Sequence, residues 1–96
     1  MILLLLPGME GSSRLFDGFV RLLPASVEAR IVDCPADRHL TYEELAGHAA
    51  TAIPHAEPYA IVAESYSGPV AILLAARARS NLKGVVLVCS FASRPL

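Results

Sequence analysis

Residues 59–76 read YAIVAESYSGPVAILLAA, and this stretch decides the fold. Its first five residues form a short apolar run, which is typical of a strand buried in a sheet. A helical pattern rich in Ala and Leu covers residues 68–79, and only a short polar turn separates it from the apolar run. A strand that leads directly into a helix is the start of a β-α-β unit, so the segment predicts an α/β fold with a parallel sheet.

Three further strands are predicted on either side of this stretch. Residues 2–6 are apolar in succession, which is typical of a strand buried on both faces of a sheet. Residues 27–32 alternate more, which predicts a strand nearer the sheet edge, and the last strand is predicted within residues 82–91. Together the elements predict an α/β fold: one partial, doubly wound sheet of four parallel strands with three helices, spanning residues 1–96.

The chain also carries signals for the ends of its helices. A helix is predicted over residues 14–23, and the next begins with the capping box Thr41-x-x-Glu44 and is closed by Pro54. In the helix over residues 68–79, we expect two basic residues in the last turn, where the helix dipole favours cations. The expected inner face of the second helix and the two basic residues of the third are Leu45, Ala49, Ala52 and Ile53, and Arg77 and Arg79.

Composition excludes several classes of function. Eight Lys and Arg against nine Asp and Glu give a net charge of −1, which argues against a nucleic-acid partner. The longest apolar runs are far shorter than the roughly 20 residues of a membrane-spanning helix. Cys34 and Cys89 form no Cys-x-x-Cys motif, and the three histidines lack metal-ligand spacing. We therefore expect a cytoplasmic protein with reduced thiols, no metal and no cofactor.

Ser65 lies in the middle of the turn between the predicted strand and helix. A nucleophile elbow presents a serine in such a turn, and its tight geometry needs small residues two places before and after the serine. Ala63 and Ser67 occupy those places, and Gly68 follows. Ser65 also fits the role of an ordinary cap of the following helix, so the pattern alone leaves both interpretations open.

The loop after the first strand, residues 7–13, is expected at the same edge of the sheet. It contains Gly8 and Gly11, and a backbone N–H at Met9 could pair with the N–H of Tyr66 to form an oxyanion hole. The two glycines also fit a simple turn. A phosphate-binding loop is excluded because the loop contains neither Gly-Lys-Ser/Thr nor Gly-x-Gly-x-x-Gly.

In its motifs PGMEGSS at residues 7–13 and ESYSGP at residues 64–69, the chain resembles the N-terminal half of an α/β-hydrolase fold enzyme. The resemblance spans essentially all 96 residues and implies the strand order second, first, third, fourth. It implies hydrolysis of carboxylic esters or thioesters through an acyl-enzyme; acyl transfer, which differs only in the acceptor, stays open. The residues it implies are Ser65 as nucleophile, the amides of Met9 and Tyr66 as oxyanion hole, and Ala63, Ser67 and Gly68 as support of the elbow.

The general base is missing from this pattern. The family places its acid and histidine after the nucleophile, and no Asp, Glu or His follows Ser65. His39 is predicted to lie two strands away, about 10 Å, which is too far for a hydrogen bond. His48 and His55 are expected in solvent. We therefore expect the parent protein to be a serine hydrolase and the 96-residue chain alone to be nearly inactive.

A hypothesis from another class stays open. The chain is then a non-catalytic binding fragment that pairs with a partner, or with itself, through its exposed last strand. Glu64 is expected to pack or form a salt bridge beneath the turn. Cys34 and Cys89 are expected about 14 Å apart, too far for a disulfide.

Overall fold

Four parallel strands form a central sheet, and helices lie on both of its faces. The computed structural model describes residues 1–7, 14–32, 41–64 and 67–88. Within these ranges the strands are β1 (Ile2–Leu6), β2 (Glu28–Ile31), β3 (Tyr59–Glu64) and β4 (Leu82–Val88). The helices are α1 (Arg14–Arg21), α2 (Tyr42–Ala50) and α3 (Gly68–Ala76), and strands and helices alternate along the chain.

The strand order is β2-β1-β3-β4, and every pairing is parallel. The predicted α/β class with four parallel strands and three helices is therefore confirmed, and the strand order is the expected one. The apolar strands β1 and β3 lie in the middle, and the less regular β2 lies at an edge as predicted. The other edge of the described sheet is β4.

One face of the sheet is closed by α2 and α3. Alternate residues of β1 and β3 point to this face, as the period of two in a strand requires. They form a single apolar cluster with side chains of both helices, and α3 packs on β3 and β4. The fully buried strand residues of this cluster are Ile2, Leu4, Leu6, Tyr59, Ile61 and Ala63.

The opposite face carries α1 and is more open. Phe16 is the buried aromatic side chain of that helix, and its ring contacts Phe19 edge to face. The two rings line an apolar groove of about 450 Å³ with Val62, Val86 and Val88. Along β3 and β4, these three valines alternate with the residues that point to the closed face. Helix α1 therefore lies on the opposite side of the sheet from α2 and α3.

The end of the third helix differs from the prediction. It ends at Ala76, and Arg77 is its C-cap residue, so neither Arg77 nor Arg79 lies in the last turn. The amides of Arg77 and Ala78 bond to the carbonyls three residues earlier, which tightens the chain out of α-helical geometry. Strand β4 occupies residues 82–88 of the predicted range, and residues 89–91 lie outside the described part.

The second helix begins as predicted. The Thr41 hydroxyl accepts a hydrogen bond from the Glu44 amide, and the Glu44 carboxylate accepts one from the Thr41 amide, which completes the capping box. Leu45 and Ala49 are buried as expected, and so is Ala46. The helix ends before the other two expected inner residues, Ala52 and Ile53, but both still pack against the core.

Hydrogen bonds from one side chain fix the amino end of β3. The Asn81 amide group donates to the carbonyls of Pro54 and Glu57, at 3.1 and 3.0 Å. The Tyr59 amide bonds in turn to the Asn81 carbonyl. The start of β3 is thereby held against Asn81, the residue that precedes β4.

Candidate active site at the carboxyl end of the sheet

The carboxyl ends of the two central strands lie side by side. Leu6 at the end of β1 is in register with Ala63, so Pro7 follows Leu6 where Glu64 follows Ala63. In open parallel sheets, ligands bind at this edge because the loops that leave neighbouring strands meet there. The segment after β1 and the turn after β3 therefore start from adjacent positions.

A hydrogen bond joins these two segments. The Ser67 hydroxyl donates to the Pro7 carbonyl at 2.5 Å, between residues 60 positions apart in the chain. Ser67 is only 2% exposed and the Pro7 side chain is fully buried, so water does not compete for the bond. Since Ser67 begins α3, this contact ties the end of β1 to the start of the helix that follows β3.

Ser67 is the N-cap residue of α3 but makes no side-chain cap. An N-cap serine ordinarily accepts a hydrogen bond from the amide two or three residues later. The residue two places later is Pro69, which has no N–H, and the hydroxyl makes no cap bond to the amide of Val70 either. It donates to the Pro7 carbonyl. Because α3 follows β3, its N-terminus lies at the carboxyl edge of the sheet. The positive end of the helix dipole favours negative charge there.

Three of the predicted site residues lie at the expected junction of strand and helix. Ala63 is the next-to-last residue of β3 and is fully buried between Leu6 and Leu87. Ser67 and Gly68 begin α3 and are buried as well. Their role as support of a tight elbow stays a prediction. The other three predicted site residues, Met9, Ser65 and Tyr66, lie outside the described residues.

Glu64 is half-buried at the last position of β3. Its side chain extends to the α1 face, since it alternates with Ala63 on the closed face. The Oε2 atom is buried and has no hydrogen-bond partner among the described residues. The ion pairs that join Arg30 to Glu28 and Arg77 to Glu43 do not involve Glu64.

The two described histidines do not approach the carboxyl edge. His48 is exposed on α2, and His55 is exposed in the segment before β3. The six residues of β3 span about 16 Å at 3.3 Å per residue, so His55 is separated from the candidate site by the length of a strand. His39 lies outside the described residues, together with Cys34 and Cys89.

A cavity of about 330 Å³ lies at the other end of the sheet. It is bounded by the C-terminal ends of α2 and α3, with Tyr59 in its wall and His55, Arg77 and Arg79 among its polar residues. The two arginines lie where the partial negative charge of the helix C-termini favours cations. Burial raises the pKa of the Tyr59 phenol, which therefore stays neutral at physiological pH.

The bond from Ser67 to Pro7 was not part of the sequence prediction, which assigned Ser67 only a small size. One signal was present. In the segment Ser67-Gly68-Pro69-Val70 the proline removes one of the two amides that an N-cap serine can bind. This weakens the capping role of Ser67 but does not indicate which group its hydroxyl contacts instead.

No cluster of three His, Cys, Asp or Glu side chains suited to a metal ion occurs within the described ranges. In the same ranges, no helix has the length and apolarity needed to cross a membrane. Comparisons with protein-family models, with curated proteins and with solved structures found no match for the chain.

Proposed function

We propose that the chain carries the nucleophile and oxyanion hole of a serine hydrolase that acts on carboxylic esters or thioesters. In this proposal the fold is the N-terminal part of an α/β-hydrolase domain. Ser65 is the nucleophile, and the backbone amides of Met9 and Tyr66 hold the oxyanion. The observation that carries the proposal is the buried hydrogen bond from Ser67 to Pro7.

That bond supports an oxyanion hole because it restricts two flanking segments at once. Tyr66 directly precedes Ser67, and Met9 follows Pro7 by two residues. Consecutive Cα atoms are about 3.8 Å apart, so each amide lies within two peptide units of one end of the bond. In the proposal, these two backbone donors point to a single developing oxyanion. The N-terminus of α3 adds a favourable field at the same edge.

The reaction follows from these roles. The Ser65 hydroxyl attacks the carbonyl carbon, its Oγ–C bond forms, and the carbonyl oxygen becomes the oxyanion. When the tetrahedral intermediate collapses, the bond to the alcohol or thiol breaks and the leaving group takes a proton. Water then releases the acid from the acyl-enzyme. If another acceptor replaces water, the same steps give acyl transfer.

A base must take the Ser65 proton, and the described histidines lie away from the carboxyl edge. We assign the base and its acid partner to segments outside these 96 residues, in the order nucleophile, acid, histidine. Without them, oxyanion stabilisation and binding alone retain roughly 10³–10⁴-fold acceleration over water. The 96-residue chain should therefore react slowly with activated esters.

A fluorophosphonate probe tests the nucleophile. Peptide mapping should find the label on Ser65, rapidly in the complete protein that contains these residues and slowly in the 96-residue chain. Ser65→Ala should abolish labelling, whereas Ser80→Ala, which removes an exposed serine before β4, should leave it unchanged. Labelling distributed over several serines, or none in either protein, would contradict the proposal.

A second candidate function is supported by the exposed edge of the described sheet. Strand β4 has seven residues, and Val86, Leu87 and Val88 are 54%, 38% and 37% exposed. The free hydrogen-bonding groups of an edge strand match those of an identical strand related by a two-fold axis. We propose, as the alternative, a non-catalytic fragment that pairs with a second copy through β4.

Light scattering distinguishes the two candidates. The pairing hypothesis predicts a dimer whose fraction grows with concentration and which Val86→Lys converts to monomer. As a control, Ile72→Lys changes an exposed apolar residue that belongs to α3 and not to the edge strand. A wild-type chain that stays monomeric at high concentration would exclude this candidate.

A further inference from the structure

Ser67 makes a contact that none of its usual roles explains. Its hydroxyl does not cap α3, and an alanine would satisfy the need for a small residue equally well. A hydroxyl that is 98% removed from solvent is costly unless it is hydrogen-bonded. The single hydrogen bond that it donates goes to Pro7, at the end of a different strand.

The contact adds a direct hydrogen bond between two parts of the fold that are otherwise connected through strand pairing and apolar packing. Helix α3 packs on β3 and β4, whereas Pro7 belongs to the end of β1. Pro7 has no N–H, so its carbonyl oxygen is the main-chain group with which it can form a hydrogen bond. The Ser67 hydroxyl donates to this oxygen. The bond therefore links the segment that leaves β1 directly to the start of α3.

We propose that Ser67 is a positioning residue for the oxyanion hole. Its hydroxyl holds the backbone at Pro7 against the start of α3, and this fixes the spacing between the amides of Met9 and Tyr66. The inference rests on the proposed function, in which those two amides bind the oxyanion. Ser67 itself touches neither substrate nor the reacting atoms.

The expected signature is a loss in rate without a loss in binding. An oxyanion donor must lie 2.7–3.1 Å from the oxygen that carries the developing charge. A misplacement of about 1 Å can cost roughly 100-fold in rate. Because the oxyanion forms only in the transition state, a displaced donor lowers the maximal rate and leaves the half-saturating substrate concentration nearly unchanged.

The test uses the 96-residue chain with p-nitrophenyl acetate, an activated ester. The acylation rate at Ser65 is measured by release of p-nitrophenolate and by mass spectrometry. Ser67→Ala should lower the maximal acylation rate by about 10- to 100-fold and change the half-saturating concentration by less than about 2-fold. Ser67→Cys, which keeps a weak donor of similar size, should lose less.

Thr51→Ala is the matched control. The Thr51 hydroxyl also donates to a backbone carbonyl, that of His48 at 2.7 Å, but the bond is local, exposed and at the C-terminal end of α2. This variant should acylate at the wild-type rate. Circular dichroism identifies any variant that fails to fold, and if Ser67→Ala does so, Ser67→Cys decides the comparison.

Amide hydrogen exchange provides a readout that is independent of the reaction. Ser67→Ala should accelerate exchange at Gly8 and Met9, and Thr51→Ala should not. Unchanged exchange at both amides would overturn the proposal, whether or not the chain reacts with the ester. Faster exchange with an unchanged acylation rate would overturn it as well, because Ser67 would then hold the segment without serving the oxyanion.

The two readouts separate this proposal from the proposed function. If the wild-type chain and the complete protein show no acylation at Ser65, the hydrolase assignment fails, and with it the role of Ser67 in an oxyanion hole. Exchange that still changes at Gly8 and Met9 would then show that the failure lies in the assigned reaction and not in the contact between Ser67 and Pro7.

Discussion

The two faces of the sheet are built differently. On the closed face, α2 and α3 cover alternate residues of β1 and β3 completely, and the side chains form one cluster. On the α1 face, Leu5 and Phe16 are fully or almost fully buried, while Val86 and Val88 remain exposed around an apolar groove. The same sheet is therefore fully covered by helices over β1 and β3 on one face and only partly covered on the other.

Helix composition accounts for much of this difference. Helix α3 has no charged residue between Gly68 and Ala76 and buries most of its first two turns. Helix α1 carries charge at Asp17 and Arg21, and Phe16 is the buried one among its described side chains. Parallel sheets are usually covered on both faces, so the α1 face is where further chain or a partner would add most to stability.

Neighbouring residues of β3 give the sharpest test of this comparison. Ile61 is fully buried on the closed face, and Val62 is half-buried on the α1 face. Ile61→Ala should lower the free energy of unfolding by about 2–5 kcal/mol, because it leaves a cavity in the cluster. Val62→Ala should cost less than half of that. Urea denaturation followed by circular dichroism measures both, and equal losses would mean that the α1 face is packed in solution.

The capping box of α2 contributes to the closed face through the helix that covers it. Thr41→Ala removes the hydroxyl that accepts a hydrogen bond from the Glu44 amide. The change should lower the free energy of unfolding by about 1 kcal/mol. Thr41→Ser keeps the acceptor and should retain most of the stability. If both variants lose the same amount in urea denaturation, the methyl group and not the cap is responsible.

An exposed ion pair between Glu43 and Arg77 joins the two helices of the closed layer. Both side chains are more than half exposed, so water and salt screen their attraction. Glu43→Gln should change the free energy of unfolding by less than about 0.5 kcal/mol, and about 1 M NaCl should erase the difference. Glu57→Gln, at another exposed position, serves as the control for general charge effects. A loss above 1 kcal/mol would contradict this assignment.

The ionisation of Tyr59 should affect stability only at alkaline pH. Its pKa in the folded chain is raised above 10.0 because burial disfavours the phenolate. The unfolded chain ionises first, so this contribution to stability is fully present below about pH 10 and is lost as pH rises through the folded-state pKa. Tyr59→Phe should match wild type near pH 7 and exceed it in thermal stability above about pH 10, with the exposed Tyr42→Phe as control.

Much of the fold could be predicted because its signals are local. Five apolar residues in succession define β1 to the residue, and the Thr41-x-x-Glu44 box marks the start of α2. The end of α3 could not be predicted in this way. After its last turn, the amides of Arg77 and Ala78 bond to carbonyls three residues earlier instead of four. This geometry depends on how the chain leads into β4 and not on the helix propensity of the residues themselves.

The candidate site was predictable only in part, for a related reason. The small residues Ala63, Ser67 and Gly68 are visible in the sequence, at the places where a nucleophile elbow would need them. The partner of the Ser67 hydroxyl is 60 residues away, and it is set by the neighbouring positions of β1 and β3 in the sheet. A contact between distant segments of this kind emerges only from the three-dimensional arrangement.

The double hydrogen bond of Asn81 carries a consequence for chemical ageing. Its amide nitrogen donates both hydrogens to carbonyl oxygens. This position therefore needs a hydrogen-bond donor, and an aspartate of nearly the same shape, which only accepts, would not fit. Deamidation to aspartate would place a carboxylate oxygen against the carbonyls of Pro54 and Glu57 and turn two attractions into repulsions. Loss of a single ammonia molecule at this residue would thus release the start of β3, while the net charge of the chain would change by only one unit.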